Sequence, residues 1–346
     1  MEDFERYIAA FEKELNAVII NDVSPDIYCQ KYLSHLLNHK AYYLRIYADV
    51  FNKLTTAYGN SQENIVLLDY GAGNGLFGIF AKYCKFKKVF INDICPSRIM
   101  ASTELARQLN INIDGYITGD ISAVKSFFKN ETPDAVAGTD VIEHIYNLEV
   151  FFKTLHDINP GIVSVFTTAS NPHNYFKVKA LQKMQVKDEL EGGTDTENIL
   201  LSEENTGSFL KIREKIIRGE NNTFSDALVF QLAKATRGKD KIDIVQAVKD
   251  YASTKVLPVP PGDTNTCNPI DGSWAERILP LAVYRAIYAA SGFTAVFSNG
   301  FYNEYDGSGI KKLFKKSLNL FIRIFGDSIA PYIVIVGRQT KESIKK

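Results

Sequence analysis

LLDYGAGNG, residues 67–75, decides the reading of the fold. An apolar run, IVLLDYG (65–71), leads into it, and a helical pattern, LFGIFAKYC (76–84), leaves it. Gly71, Gly73 and Gly75 therefore sit at a strand-to-helix turn. Glycine adopts positive φ without a Cβ penalty, and such a turn lets a ligand approach backbone N–H groups at a helix start. The spacing is G-x-G-x-G, with Leu76 where a dinucleotide-binding G-x-G-x-x-G has its third glycine. Asp69 stands two residues before the first glycine. A carboxylate there repels a pyrophosphate and suits a ligand with a cationic amine.

Outward from this turn the same texture repeats. KVFIND (88–93), GYITGD (115–120), DAVAGTDVI (134–142) and GIVSVFTTAS (161–170) read as buried strands. Between them lie PSRIMASTELARQLN, SAVKSFFKN and NLEVFFKTLHDI, each long enough for a crossover helix. Strand–helix alternation of this kind predicts a parallel sheet with helices on both faces. Asp69, Asp93, Asp120 and Asp140 then fall at four consecutive strand ends, along the edge where open α/β sheets bind ligands. Asp93 is placed to accept hydrogen bonds from two ribose hydroxyls, and Asp120 to reach an adenine amine. The expected ligand is a nucleoside with a positively charged tail.

The flanks read differently. In DFERYIAAFEKELNAVI (3–19), Phe4, Ile8, Phe11, Leu15 and Ile19 recur at helical spacing. A second, tyrosine-rich helical stretch covers 27–54. After residue 170 the alternation stops for about a hundred residues, with charged helical patterns (SEENTGSFLKIREKIIRG, FSDALVFQLAKATRG, KIDIVQAVKDYAST) and a proline-rich connection, VLPVPPGDTNTCNPIDGSW (256–274). A helix (278–293), a strand (294–303), the helix IKKLFKKSLNLFIRIF (310–325) and a strand (330–337) close the chain. The predicted division is a helical cap at 1–60, an α/β core at 61–172 and 275–340, and a helical insertion at 173–274. The 310–325 helix carries lysines on one side and bulky apolar residues on the other. It could lie on an anionic membrane, but packing against the protein is the default for an amphipathic helix.

Composition narrows the class. The chain has 346 residues with 40 Lys plus Arg against 40 Asp plus Glu. A net charge of zero opposes a generic nucleic-acid binder, which needs surplus cations facing phosphates. The hydrophobic share, 45%, is that of a globular protein. No apolar run reaches the roughly 18 to 20 residues that span a bilayer, so no stable membrane insertion is expected. The opening MEDFERYIAAFEKEL lacks the h-region of a signal peptide. Cys29, Cys84, Cys95 and Cys267 are scattered, which fits free thiols in a reducing compartment better than disulfides or zinc. A soluble cytoplasmic protein is expected, with a homo-oligomer left open.

With these motifs in order, the sequence resembles the class I S-adenosylmethionine-dependent methyltransferases, closely over 64–170 and more loosely over 275–340. The matching pieces are LDYGAGNG, the Asp93 strand end, GDI (119–121), PDAVAGTDVIEHIYNLEVFF (133–152), FTTASNP (166–172) and AIYAASGFTAVFSNGFY (286–302). The resemblance implies a seven-stranded Rossmann-like sheet in the order 3-2-1-4-5-7-6. It further implies S-adenosylmethionine as cofactor and S-adenosylhomocysteine as product; the insertion, which leaves from the ligand edge of the sheet, is expected to cover the acceptor pocket. Carried over by position, Gly71, Gly73, Asn74 and Gly75 form the cofactor loop, and Asp69 holds the methionine amine. Asp93 binds the ribose, Ile94 packs on adenine, Asp120 and Ile121 bound its other side, and Asp140 lies near the methionine portion.

If the acceptor is a hydroxyl, a general base helps. His144, in DVIEH, is the first candidate and His173, in NPHN (171–174), the second, with no metal expected. His144 has a competing structural role, since DVIEH recurs across methyltransferases of different chemistries. NPHN resembles the NPPY motif of DNA amino-methyltransferases but follows the fifth strand rather than the fourth. His35 and His39, in HLLNH, share a helix face without the acidic or cysteine partner a metal site needs. TRG (236–238) and NTCNPIDGSW (265–274) loosely resemble methyltransferases of bacterial surface-sugar and natural-product pathways. The expected reaction is methylation of an oxygen, before a nitrogen, on a small polar acceptor such as a sugar or nucleotide-sugar. The alternatives are a methyltransferase acting on protein or RNA, and a catalytically silent binding subunit. A NAD(P) oxidoreductase is disfavoured by Asp69 and by the missing third glycine.

Overall fold

Four helices precede the sheet: α1 (Glu5–Leu15), α2 (Ile20–Val23), α3 (Ile27–Asn38) and α4 (Lys40–Tyr58). Then β1 (Val66–Tyr70), α5 (Leu76–Tyr83), β2 (Lys88–Asp93), α6 (Pro96–Gln108), β3 (Gly115–Thr118), α7 (Ile121–Phe127), β4 (Ala135–Thr139), α8 (Leu148–Ile158) and β5 (Val163–Thr168) alternate. Among the described residues, four α-helices follow: α9 (Tyr175–Leu190), α10 (Phe209–Glu220), α11 (Asp226–Ala235) and α12 (Lys241–Thr254). The chain closes with α13 (Leu281–Ala290), β6 (Phe293–Asn299), α14 (Gly309–Phe325) and β7 (Ile333–Gln339). The structure, a computed structural model, describes residues 4–129, 131–192, 207–259, 262 and 264–340. The stretch 202–206, read above as the start of a helix, lies outside them, as do positions 260, 261 and 263 of the proline-rich connection.

The sheet order is β3-β2-β1-β4-β5-β7-β6, as expected. The first five strands run parallel, and β7 inserts antiparallel between β5 and β6. Local chemistry explains the boundaries. Pro96 opens α6 at a position where its missing N–H costs nothing. Asn147 caps α8 by accepting from the Val150 amide. β1 and β5 are buried along their whole lengths, which is why they read as continuous apolar runs.

The chain divides into two compact units. The first comprises 1–142, 147–174 and 280–346, so the N-terminal helices belong with the sheet. Phe51 of α4 is fully buried, with its ring 4.9 to 5.7 Å from those of Phe77, Phe80 and Phe86. Of the stripe read from the sequence, Phe4, Ile8, Phe11 and Leu15 are buried in the same cluster, whereas Ile19 lies beyond α1 and is exposed. Each such side chain contributes on the order of 1.5–3 kcal/mol. The helical stretch read as 27–54 is two helices, because the chain turns at His39 (φ −119°).

The second unit takes in 143–146 and 175–279. Ile217, Val229, Leu232, Ile244 and Val248 form a small core from α10, α11 and α12. Beside it a buried polar network holds the unit: Arg213 pairs with Glu189 and donates from Nε to the Ala233 carbonyl at 2.8 Å. The Glu189 carboxylate also accepts from the Thr266 hydroxyl at 2.7 Å.

The default packing expected for the 310–325 helix is overturned. In α14 only Ile322 is buried, and Ile310, Phe314 and Ile324 are 85%, 64% and 69% exposed. Its polar side is the one that docks: the Asn319 side chain donates to the Tyr302 carbonyl (3.0 Å) and to Glu304 (2.9 Å).

Candidate functional site

The turn after β1 is built as its glycines require. Gly71, Gly73 and Gly75 have φ of 68°, 55° and 75°, values that strain any residue with a Cβ. Space is short as well. A Cβ on Gly71 would collide with Val141, one on Gly73 would lie 2.9 Å from the Tyr32 ring, and one on Gly75 would lie 2.7 Å from the Ser102 hydroxyl.

The acids occupy distinct places. Asp69 lies beneath the turn, 1% exposed, accepting from the Gly78 amide of α5 at 2.8 Å. Burial drives its carboxyl well above the ordinary carboxylate range, against the opposing pull of the Gly78 bond. Asp93 is equally buried; its two oxygens accept from the Gly73 amide (2.8 Å) and the Cys95 amide (2.9 Å). Burial raises its pKa, while Arg98, 3.8 Å away, pulls it down. Ile94 is 51% exposed beside it. Asp120 does not end a strand: β3 stops at Thr118, and the Asp120 side chain caps α7 by accepting from the Ser122 and Ala123 amides. Ile121, the first residue of α7, is buried.

Asp140 adopts a left-handed backbone, φ 52°, which is costly for a non-glycine residue. Its amide donates to Thr167, and one carboxylate oxygen accepts from the Ala169 amide at 3.1 Å. The tyrosines of α3 and α4 feel this carboxylate. Burial, and after it the Asp140 charge, hold Tyr32, Tyr42 and Tyr43 above the ordinary phenol range, Tyr43 at about 12.

Sequence reading missed how α3 lies on the turn. Asn74 donates from Nδ2 to the Cys29 carbonyl of α3 at 2.8 Å. Tyr28 and Tyr32 stack with centroids 6.2 Å apart, and the Arg98 guanidinium stands 5.3 Å over Tyr28. The available signal was the tyrosine density of 28–47, which periodicity alone does not attach to a partner. A cavity of about 710 Å³ in the first unit opens elsewhere, beside Arg45, Tyr305 and Arg323.

Residues 37–199 match the family described as methyltransferase domain. The sheet order is the one expected of a class I S-adenosylmethionine-dependent methyltransferase. Residues 37–199 of the chain carry a methyltransferase domain. No curated protein sequence matched it in a search. Solved structures similar to this methyltransferase include TehB from Haemophilus influenzae, 19% identical, covering 34% of this chain and 39% of that one, with a TM-score of 0.28. A methyltransferase from Clostridium acetobutylicum is 16% identical, with coverages of 44% and 61% and a TM-score of 0.34. A putative sarcosine dimethylglycine methyltransferase from Galdieria sulphuraria is 13% identical, covering 86% of each chain, with a TM-score of 0.41. The chain thus spans less than two thirds of the first two.

S-adenosylmethionine is the cofactor of this family. The edge of the methyltransferase sheet offers chiefly acceptors, as a ligand presenting an amine and two hydroxyls requires. Asn74 Oδ1, within the glycine turn, is buried and has no hydrogen-bond partner among the described residues, so the acceptor set fits the group.

The two candidate bases of the methyltransferase fall in different units. His144 Nδ1 lies 2.7 Å from the Trp274 carbonyl, and Nε2 lies 3.8 Å from Glu276. A carbonyl only accepts, so Nδ1 carries a proton and donates it to Trp274. Backbone bonds from Trp274 to His144 and from Arg277 to Glu143 fix this segment. His173 pairs through Nδ1 with Asp327 at 2.7 Å and is largely exposed. His35 and His39 bond to Tyr43 and Asp306, respectively. No cluster of metal-ligating side chains occurs among the described residues.

Proposed function

We propose that this protein methylates an oxygen, ahead of a nitrogen, on a small polar acceptor, with a sugar or nucleotide-sugar as the first class to assay. In this reading Asp69, Asp93, Ile94, Asp120, Ile121, Asp140 and the turn at Gly71, Gly73, Asn74 and Gly75 hold S-adenosylmethionine, and the second unit holds the acceptor. The cofactor supplies an electrophilic sulfonium methyl, so the protein's tasks are alignment of the acceptor and removal of its proton.

The observation that carries the reading is the His144 tautomer. With Nδ1 committed to the Trp274 carbonyl, Nε2 is the only ring nitrogen able to take a proton. The Glu276 carboxylate lies on that side, 3.8 Å from Nε2. This is the arrangement a hydroxyl acceptor needs; an amine acceptor, already nucleophilic when neutral, needs it less. His173 has the corresponding support from Asp327 and is the second candidate.

Replacement of His144 by alanine tests the assignment. Turnover with a hydroxylated acceptor should fall about 10²–10⁴-fold, while S-adenosylhomocysteine affinity stays unchanged. Full turnover with an unaltered pH profile would remove His144 from the role. The same profile measured on His173→Ala separates the two histidines.

A further inference from the structure

We infer that α14 is a surface anchor that lays the first unit onto an anionic lipid bilayer. The helix is docked by its polar side, through Asn319 and the neighbouring Ile322. At 3.6 residues per turn, Ile310, Leu313, Phe314, Phe321, Ile324 and Phe325 fall on the opposite arc. All six are exposed. An uncovered group of large side chains on one helix face is unusual for a surface that meets only water.

The charges indicate what covers it. Lys311 and Lys316 lie nearest the borders of the apolar arc, Lys312, Lys315 and Arg323 lie further round toward Asn319, and α14 contains no aspartate or glutamate. The chain as a whole has equal numbers of acids and bases, so this stripe is not a by-product of a basic protein. Apolar face outward with cations along its borders is the geometry by which a helix lies in the headgroup region, its apolar side chains among the upper acyl carbons. A second copy of the chain fits worse, because pairing α14 with α14 sets five cations against five. Among the described residues no helix is long and apolar enough to cross a membrane, so the association is with the surface.

The probe is co-sedimentation of the full chain with phosphatidylglycerol-rich vesicles and with pure phosphatidylcholine vesicles, at low and high salt. Binding should be confined to the anionic vesicles and weaken with salt. Lys311→Gln with Lys316→Gln should lower the partition coefficient about 25-fold, roughly fivefold for each cation. Phe321→Glu with Ile324→Glu should abolish binding, and since both positions are exposed the circular dichroism spectrum should not change. Absence of binding to anionic vesicles, equal binding to neutral ones, or indifference to both pairs of substitutions overturns the inference. So does a dimer, seen by light scattering, that Phe321→Glu disperses, since the face would then be covered by a second copy.

Discussion

Asp69 is buried with one resolved hydrogen bond, from the Gly78 amide, and its desolvation is the dominant influence on its charge. The folded-state pKa is raised above the ordinary 3.8, so the folded protein binds this proton more tightly than the unfolded chain. The stabilising contribution is therefore complete below 3.8 and is lost as pH rises through the folded value. Asparagine can still accept from Gly78 without carrying the charge. Asp69→Asn should make the ligand-free protein more resistant to urea at neutral pH, with the gain shrinking toward the ordinary carboxylate range. A variant less stable than the parent at neutral pH would contradict this. At this scale the strand-end acids were legible because β1 and β2 announce their own ends. The His144 partner was not, because Trp274 is 130 residues away and no local pattern links them. Asp120 was misplaced for a related reason: GYITGD continues as an extended run in sequence, while the side chain's affinity for two amides ends β3 and starts α7.

Between elements, the second unit depends on charge as well as apolar contact. Arg213 is fully buried and Glu189 nearly so, and burial of the guanidinium pushes its pKa down against the pull of Glu189. Removing one partner leaves the other charged and desolvated. Arg213→Met should cost about 3–5 kcal/mol, read as an earlier urea midpoint in the fluorescence of Trp274, the only tryptophan and a member of this unit. Adding Glu189→Gln to Arg213→Met should recover part of the loss, since the stranded charge is then gone; no recovery would refute the pairing argument. Helices α10, α11 and α12 were legible through their apolar spacing. The buried pair was not, since Arg213 reads as one more cation on a charged helix. The outward face of α14 was equally hidden, because amphipathic periodicity is identical whether the apolar side meets protein, lipid or water.

At the scale of the molecule, the parallel order and the position of the ligand edge follow from one strand–turn–helix unit repeated, which is why LLDYGAGNG carried so much of the fold. What periodicity did not carry was the discontinuity of the second unit, which takes 143–146 out of the α/β run through backbone bonds to Trp274 and Arg277. The same geometry also locates the proposed cofactor residues, all of which lie in the first unit. S-adenosylhomocysteine at a hundredfold excess over its dissociation constant should therefore stabilise the folded state by about 2.7 kcal/mol. Amide exchange should slow in 71–75, where the turn lies, in 93–98, where Asp93 and Arg98 meet, and in 27–38, because α3 is hydrogen-bonded to Asn74. Asp93→Ala, which removes the acceptor for the Gly73 and Cys95 amides, should abolish the ligand-induced slowing while the exchange of α10 to α12 persists as in the parent. Protection confined to 209–254 would place the ligand in the second unit and refute the assignment.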